Sequence, residues 1–235
     1  MSQVDHPLDI KIPFLPARVK IYLDFVAFWV RTVGFLLRHC RRKALEPVRN
    51  FLENMGGLYE RAAEVYSKNL STTKRPFYLG RPHFLLIQGL DPHLMCIPSL
   101  HVMVVIRTYT HFAEIIKLIG EEERFAKNVE ELRHGALEIT EAVLYIKQHS
   151  VNCIPAAMYA MTRYNHELFP PEEAERFASD IFIDAKKPNN AEADEIREYI
   201  ISLYHRFLAQ GKDKEDWTEP LLTFLKEHPR VKKGS

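Results

Sequence analysis

The 235-residue sequence is poor in cysteine, in net charge and in long uninterrupted apolar runs, and each shortage excludes a class of protein. Its three cysteines, Cys40, Cys96 and Cys153, form an odd set without metal-ligand spacing, so neither a disulfide framework nor a zinc site is expected. Three thiols fit a reducing, cytoplasmic setting. A net charge of +1 argues against the basic footprint of a nucleic-acid binder. The N-terminus, Met-Ser-Gln-Val-Asp-His-Pro, has no basic start followed by an apolar run, so no secretory signal is expected. Repeats and low-complexity tracts are missing too.

The nearest approach to a membrane span is Ile21 to Leu37, which Asp24 and Arg31 interrupt. Each charge would cost roughly 2.5–3.5 kcal/mol near a bilayer centre. The segment therefore reads as a buried or an interfacial helix rather than a span, and a mean hydropathy of -0.23 agrees. The basic run Arg38 to Lys43 follows directly. It suits acidic lipid headgroups, as a peripheral membrane contact, and equally a solvated helix end whose cations favour the negative dipole.

What the sequence does have is helical periodicity, with few alternating strand patterns. An all-α fold is expected, with helices near 17–42, 47–68, 98–118, 121–148, from 155 to before the Pro170-Pro171 pair, 171–184, 191–210 and 217–227. Prolines open several of them: Pro47, Pro98, Pro155 and Pro171. Between the second and third lies an irregular stretch with Pro76, Gly80, Pro82, Gly89 and Pro92. Residues 1–235 read as one helical domain, with a core at about 17–165 and a C-terminal helical extension at about 171–235. Cys96-Ile97-Pro98-Ser99 and Cys153-Ile154-Pro155-Ala156 echo each other, each leading into a helix.

Three short patterns carry chemistry. Lys74 is followed after six residues by Arg81-Pro82, and Pro98-Ser99-Leu100-His101 stands at a helix start. A second histidine, His149, follows Lys147-Gln148. These patterns resemble the motifs of the type 2 phosphatidic acid phosphatase family, related to the haloperoxidases: Lys-x6-Arg-Pro, Pro-Ser-Gly-His and Ser-Arg-x5-His-x3-Asp. The first motif matches in full, and the second at all but the glycine, where Leu100 stands. The third keeps only its histidine, and its Lys-Gln-His run is similar to the lipid phosphotransferase branch. The resemblance covers about 74 to 160.

It implies a helical bundle like the family core and a phosphatase or phosphotransferase working without metal or other cofactor. Its substrate would be a phosphate ester, phospholipids included, and nucleic acid is no expected partner. His149 would be the nucleophile that becomes a phosphohistidine. His101 would protonate the leaving oxygen and then activate water. Lys74 as a point charge, Arg81 as a planar fork and Ser99 as a hydroxyl donor would hold the phosphate. Such chemistry is mostly positioning and electrostatic stabilisation. His83, His93, His111 and His134 have no such support and read as structural or exposed.

The third motif departs from the family. Ala142 and Val143 stand where Ser and Arg are expected, and Cys153 where the Asp orients the nucleophile. Asn152 is the nearest orienting substitute. Lys147 could replace the lost cation, but on a continuing helix it would point away from the His149 face. A phosphate binder without turnover and a helical interaction protein therefore remain as alternatives to an enzyme.

Overall fold

The computed structural model describes residues 1–78, 80, 82–84, 87, 94–186 and 188–231. Arg81 and His93, and with them Gly89 and Pro92 of the irregular stretch, lie outside the described residues. The chain is an all-α bundle. In chain order the α-helices that lie wholly within the described residues are α1 (Val19–Leu23), α2 (Phe25–Cys40), α3 (Leu45–Lys68), α4 (Leu100–Leu118), α5 (Glu122–Tyr145), α6 (Cys153–Tyr164), α7 (Pro171–Asp180), α8 (Asn190–Gly211) and α9 (Glu219–Lys226).

Helix α4 is central, packing against α2, α3, α5 and α6. Its sequence is apolar nearly all round, and residues Val102 to Phe112 are buried without exception. Such burial is tolerable only if the polar side chains find partners. The Thr108 and Thr110 hydroxyls donate back to the Val104 and Ile106 carbonyls, at 2.7 and 2.8 Å, while the Arg107 guanidinium lies 4.7 Å from the centre of the Tyr164 ring. Helix α6 is buried from Cys153 to Thr162 and joins the core to the C-terminal helices, packing on α8. Two two-residue strands, β1 (Ser2–Gln3) and β2 (Ser71–Thr72), pair in parallel and tie the N-terminus to the segment after α3.

The helix ends differ from the expectation where backbone geometry decides. The first expected helix is broken at Asp24, so α1 and α2 are separate. Asp24 is then met one turn-pair later by Arg31, whose Nη1 donates to its carboxylate at 2.8 Å. Helix α6 stops at Tyr164, several residues short of the Pro170-Pro171 pair expected to bound it, and α7 at Asp180, before 184. Pro82, His83 and Phe84, expected to be irregular, are helical. Helix α5 stops at Tyr145 rather than running to 148, because Lys147 adopts φ 58°, a left-handed conformation. Val143 O then accepts from both Gln148 N–H (3.0 Å) and His149 N–H (3.2 Å), folding a tight turn that presents His149. Among the described residues no helix is long and apolar enough to cross a membrane.

Candidate functional site

The site begins with the connection into α4. Ser71 N–H donates to Leu94 O at 3.1 Å, and Ile97 N–H donates to Ser71 Oγ at 2.9 Å. Tyr66 of α3 donates its hydroxyl to Pro98 O at 2.5 Å. The turn 94–99 is thus pinned from two sides, and its end, Ser99, is the N-cap of α4. Ser99 is fully buried, and its hydroxyl makes no capping bond to the helix. It lies instead 3.4 Å from His149 Nε2, the long end of hydrogen-bond range.

His101, one residue into α4, has its ring centre 5.6 Å from that of His149, edge to face. Tyr22 stacks on His101 at 4.4 Å and Phe25 lies tilted over it at 4.2 Å, so the start of the bundle clamps this imidazole. Ser99 and His101, at the start of α4, therefore meet His149, which lies 50 residues after Ser99. A cavity of about 110 Å³ opens beside them, lined by Tyr66, Arg75, Met95, Cys96, Leu100, His101, Gln148 and His149. Gln148 is 1% exposed, and neither end of its amide has a hydrogen-bond partner within the described residues. Burying an unmatched amide costs about 1–3 kcal/mol, which a polar ligand in this cavity would return.

His149 also borders a second, open groove of about 670 Å³. Its polar walls are Asp5, His6, Asp9, Thr73, Lys74 and Lys147, with Phe14 and Ile12 among its apolar ones. Lys74 lies here, and not among the residues lining the smaller cavity with His101; its backbone N–H donates to Asp5 Oδ1 at 2.8 Å. The first-motif lysine and the second-motif histidine thus line different cavities that share His149.

Lys147 does not point away. Its left-handed backbone turns Nζ to the carbonyls of Asp9 (2.5 Å) and Ile12, binding the N-terminal segment across the loop and leaving the ammonium on the groove wall. Burial pulls its pKa down, partly offset by Asp9. Asn152 spends its amide elsewhere, donating to Val4 O at 3.1 Å and accepting from Tyr199 Oη at 2.5 Å. Val143 and Ala142, at the positions of the family's Arg and Ser, are buried in the core. Cys153, at the position of its Asp, is fully buried and hydrogen-bonded to Cys96, and burial raises its thiol well above the usual range.

Sequence reasoning missed Asp9, Gln148 and Arg75. Asp9 accepts from His6 N–H and Val151 N–H, each at 2.8 Å, and so fixes the loop two residues past His149. Burial raises its pKa, against those two hydrogen bonds. Nothing in the sequence couples residue 9 to residue 151. Gln148 and Arg75 had a signal, since each adjoins a motif residue. Of the other histidines, His111 is buried on α4 and His134 stands on α5. Comparison with protein-family models, curated proteins and solved structures finds no match to this chain. The family resemblance thus rests on the motif residues themselves.

Proposed function

We propose that the chain is a metal-independent phosphatase or phosphotransferase that acts on a phosphate ester through a phosphohistidine at His149. The observation that carries this reading is the meeting of His101, His149 and a buried Ser99 hydroxyl with no capping role, across 50 residues of chain. In the first step a lone pair on His149 Nε2 attacks phosphorus as the P–O ester bond breaks, and protonated His101 gives its proton to the leaving oxygen. The now neutral His101 then takes a proton from water, whose oxygen attacks phosphorus. The P–N bond breaks, restoring His149 and releasing phosphate. In a phosphotransferase an acceptor hydroxyl replaces the water.

Ser99 and backbone N–H groups in the first turn of α4 would donate to the phosphoryl oxygens. Arg75 and Gln148 border the same space, while the open groove sets Lys74 and Lys147 beside Asp5 and Asp9, so that its two cations are available to the rest of the substrate. Arg81 would add the planar fork that the motif implies. A phospholipid headgroup belongs to the substrate class, and three buried thiols fit a cytoplasmic setting.

A second reading, phosphate binding without turnover, is favoured by one specific observation. The third-motif positions for Arg and Asp hold a core valine and a thiol committed to Cys96. Hydrolysis of p-nitrophenyl phosphate, inhibited by vanadate and abolished in His149→Ala and His101→Ala, would support the enzyme. Vanadate binding without hydrolysis would support the binder. Neither binding nor turnover would dismiss both and leave a helical interaction protein.

A further inference from the structure

The solvent face of a bundle helix is ordinarily polar. On α2 it is not. Val26, Val30, Gly34 and Leu37 are exposed and follow one another at spacings of four, four and three, so they share one face of the helix. Val26 is 44% and Val30 48% exposed, and a side chain added at Gly34 would meet only open space. Arg31 and Arg38 edge this stripe, and the helix runs out into Arg41 and Arg42, both exposed. Leu45, 57% exposed, follows them. Lys43 is committed to Glu121 and Arg31 to Asp24. Arg38, Arg41 and Arg42 have no ion-pair partner within the described residues.

We infer that this face of α2, with the arginines at its C-terminal end, is a docking surface for an anionic phospholipid bilayer. Charge complementarity selects the occupant: the apolar stripe runs into the unpaired Arg38, Arg41 and Arg42, and the carboxylates at its margins are already paired, Asp24 with Arg31, Glu121 with Lys43, Glu46 with Arg49 and Glu131 with Lys127. An apolar face of two to three turns with cations at its margin is the form in which a helix lies in the headgroup region instead of crossing it. Sixteen residues of α helix span about 24 Å, short of a roughly 30 Å hydrocarbon core. Arginine stems lie along apolar surface while their heads reach phosphate. Phe25, adjoining Val26, covers His101, so the apolar face starts beside the histidine pair. The docking surface does not depend on catalysis there, and its test reads partition alone.

The intact chain is floated with vesicles of phosphatidylcholine alone or mixed with phosphatidylserine. It should bind the mixed vesicles, bind more weakly as salt rises, and leave pure phosphatidylcholine largely unoccupied. The Trp29 emission, from the edge of the stripe, should shift to the blue on binding, and Trp29→Phe should remove that shift. Val26→Asp with Val30→Asp should weaken partition roughly tenfold or more. Reversal of Arg38, Arg41 and Arg42 to Glu should weaken it on the order of a hundredfold. All five positions are solvated, so far-ultraviolet dichroism should be unchanged, and the two variant sets test the surface separately. Lack of binding to mixed vesicles would overturn the inference, as would binding that neither set alters. So would a dimer in solution that Val26→Asp dissociates, which would make a second copy the occupant.

Discussion

Glu141 offers the most quantitative test of the architecture behind the site. It sits on α5, four residues before the helix ends, and its Oε1 accepts from Phe182 N–H at 2.7 Å. Phe182 has φ 62°, so this bond holds a left-handed turn after α7. Burial raises the Glu141 pKa from 4.5 to about 7, outweighing the Phe182 hydrogen bond and the attraction of Arg18. A carboxyl with a raised folded-state pKa binds its proton more tightly when folded. The stability it contributes is complete below 4.5 and is lost as pH rises through about 7. At about 1.36 kcal/mol per pH unit the displacement corresponds to about 3 kcal/mol at most. Glu141→Gln keeps an acceptor for Phe182 and removes the ionisation. Urea unfolding of both proteins should give nearly equal stabilities at low pH. The variant should then gain steadily on the wild type, by up to about 3 kcal/mol above pH of about 8. Other groups titrate alike in both chains and cancel in the difference. A difference that stays flat with pH would refute the buried-carboxyl account. One that favours the wild type at high pH would mean that Arg18 wins over burial.

Lys147 should prove a backbone problem as well as a tether. Lys147→Ala and Lys147→Gly both lose the bonds to Asp9 and Ile12, but glycine accepts the left-handed φ and should be more stable than alanine by about 1 kcal/mol in thermal unfolding. Equal stabilities would argue against the turn. His111 is held neutral by burial and by Arg107, its pKa lowered to about 4, so its 3.4 Å contact with Glu114 is no ion pair at neutral pH. A depressed folded-state pKa means stability lost as pH falls from 6.5 toward 4, and His111→Gln should flatten that limb of the wild-type pH–stability curve. The cysteines are all buried, so a thiol reagent such as dithionitrobenzoate should leave the native protein almost untouched and label all three on unfolding in urea. Rapid labelling of Cys153 in the native state would contradict its place in the core.

Helical periodicity was legible because each helix has to bury a face, and α3, α4 and α8 lie close to where their patterns put them. Ends were less legible. A lysine at positive φ leaves no mark in composition, so α5 looked three residues longer and Lys147 looked misdirected. The break at Asp24 is equally silent, since both flanks are apolar. Ser99, His101 and His149 could be picked out because motif spacing is local. Asp9 could not, because its partner Val151 is contributed by the fold and by no pattern along the chain. The two readings of Arg38 to Lys43 are level in the sequence, because the exposure of Val26 and Val30 near these cations is set by packing and leaves no mark in composition.

Proximity of the two histidines has a packing cause that is separable from any chemistry. The repeated Cys-Ile-Pro starts bring Cys96 and Cys153 into contact, which sets the beginning of α4 beside that of α6. His101 and His149, one just inside the first helix and one just before the second, then come together as a matter of course. Packing does not explain the polarity. A core that needed only to close would put apolar side chains at 99 and 148. This chain instead buries a hydroxyl that caps nothing and an amide with no partner within the described residues. Natural sequences break local rules of this kind mainly where a site is built. Ser99→Ala and Gln148→Leu separate the two explanations. If the site is only a seam, both variants should be as stable as the wild type or more so, and vanadate affinity should not change. If the polar groups serve a phosphoryl ligand, stability should again hold or rise, but vanadate binding should weaken about tenfold for each bond lost.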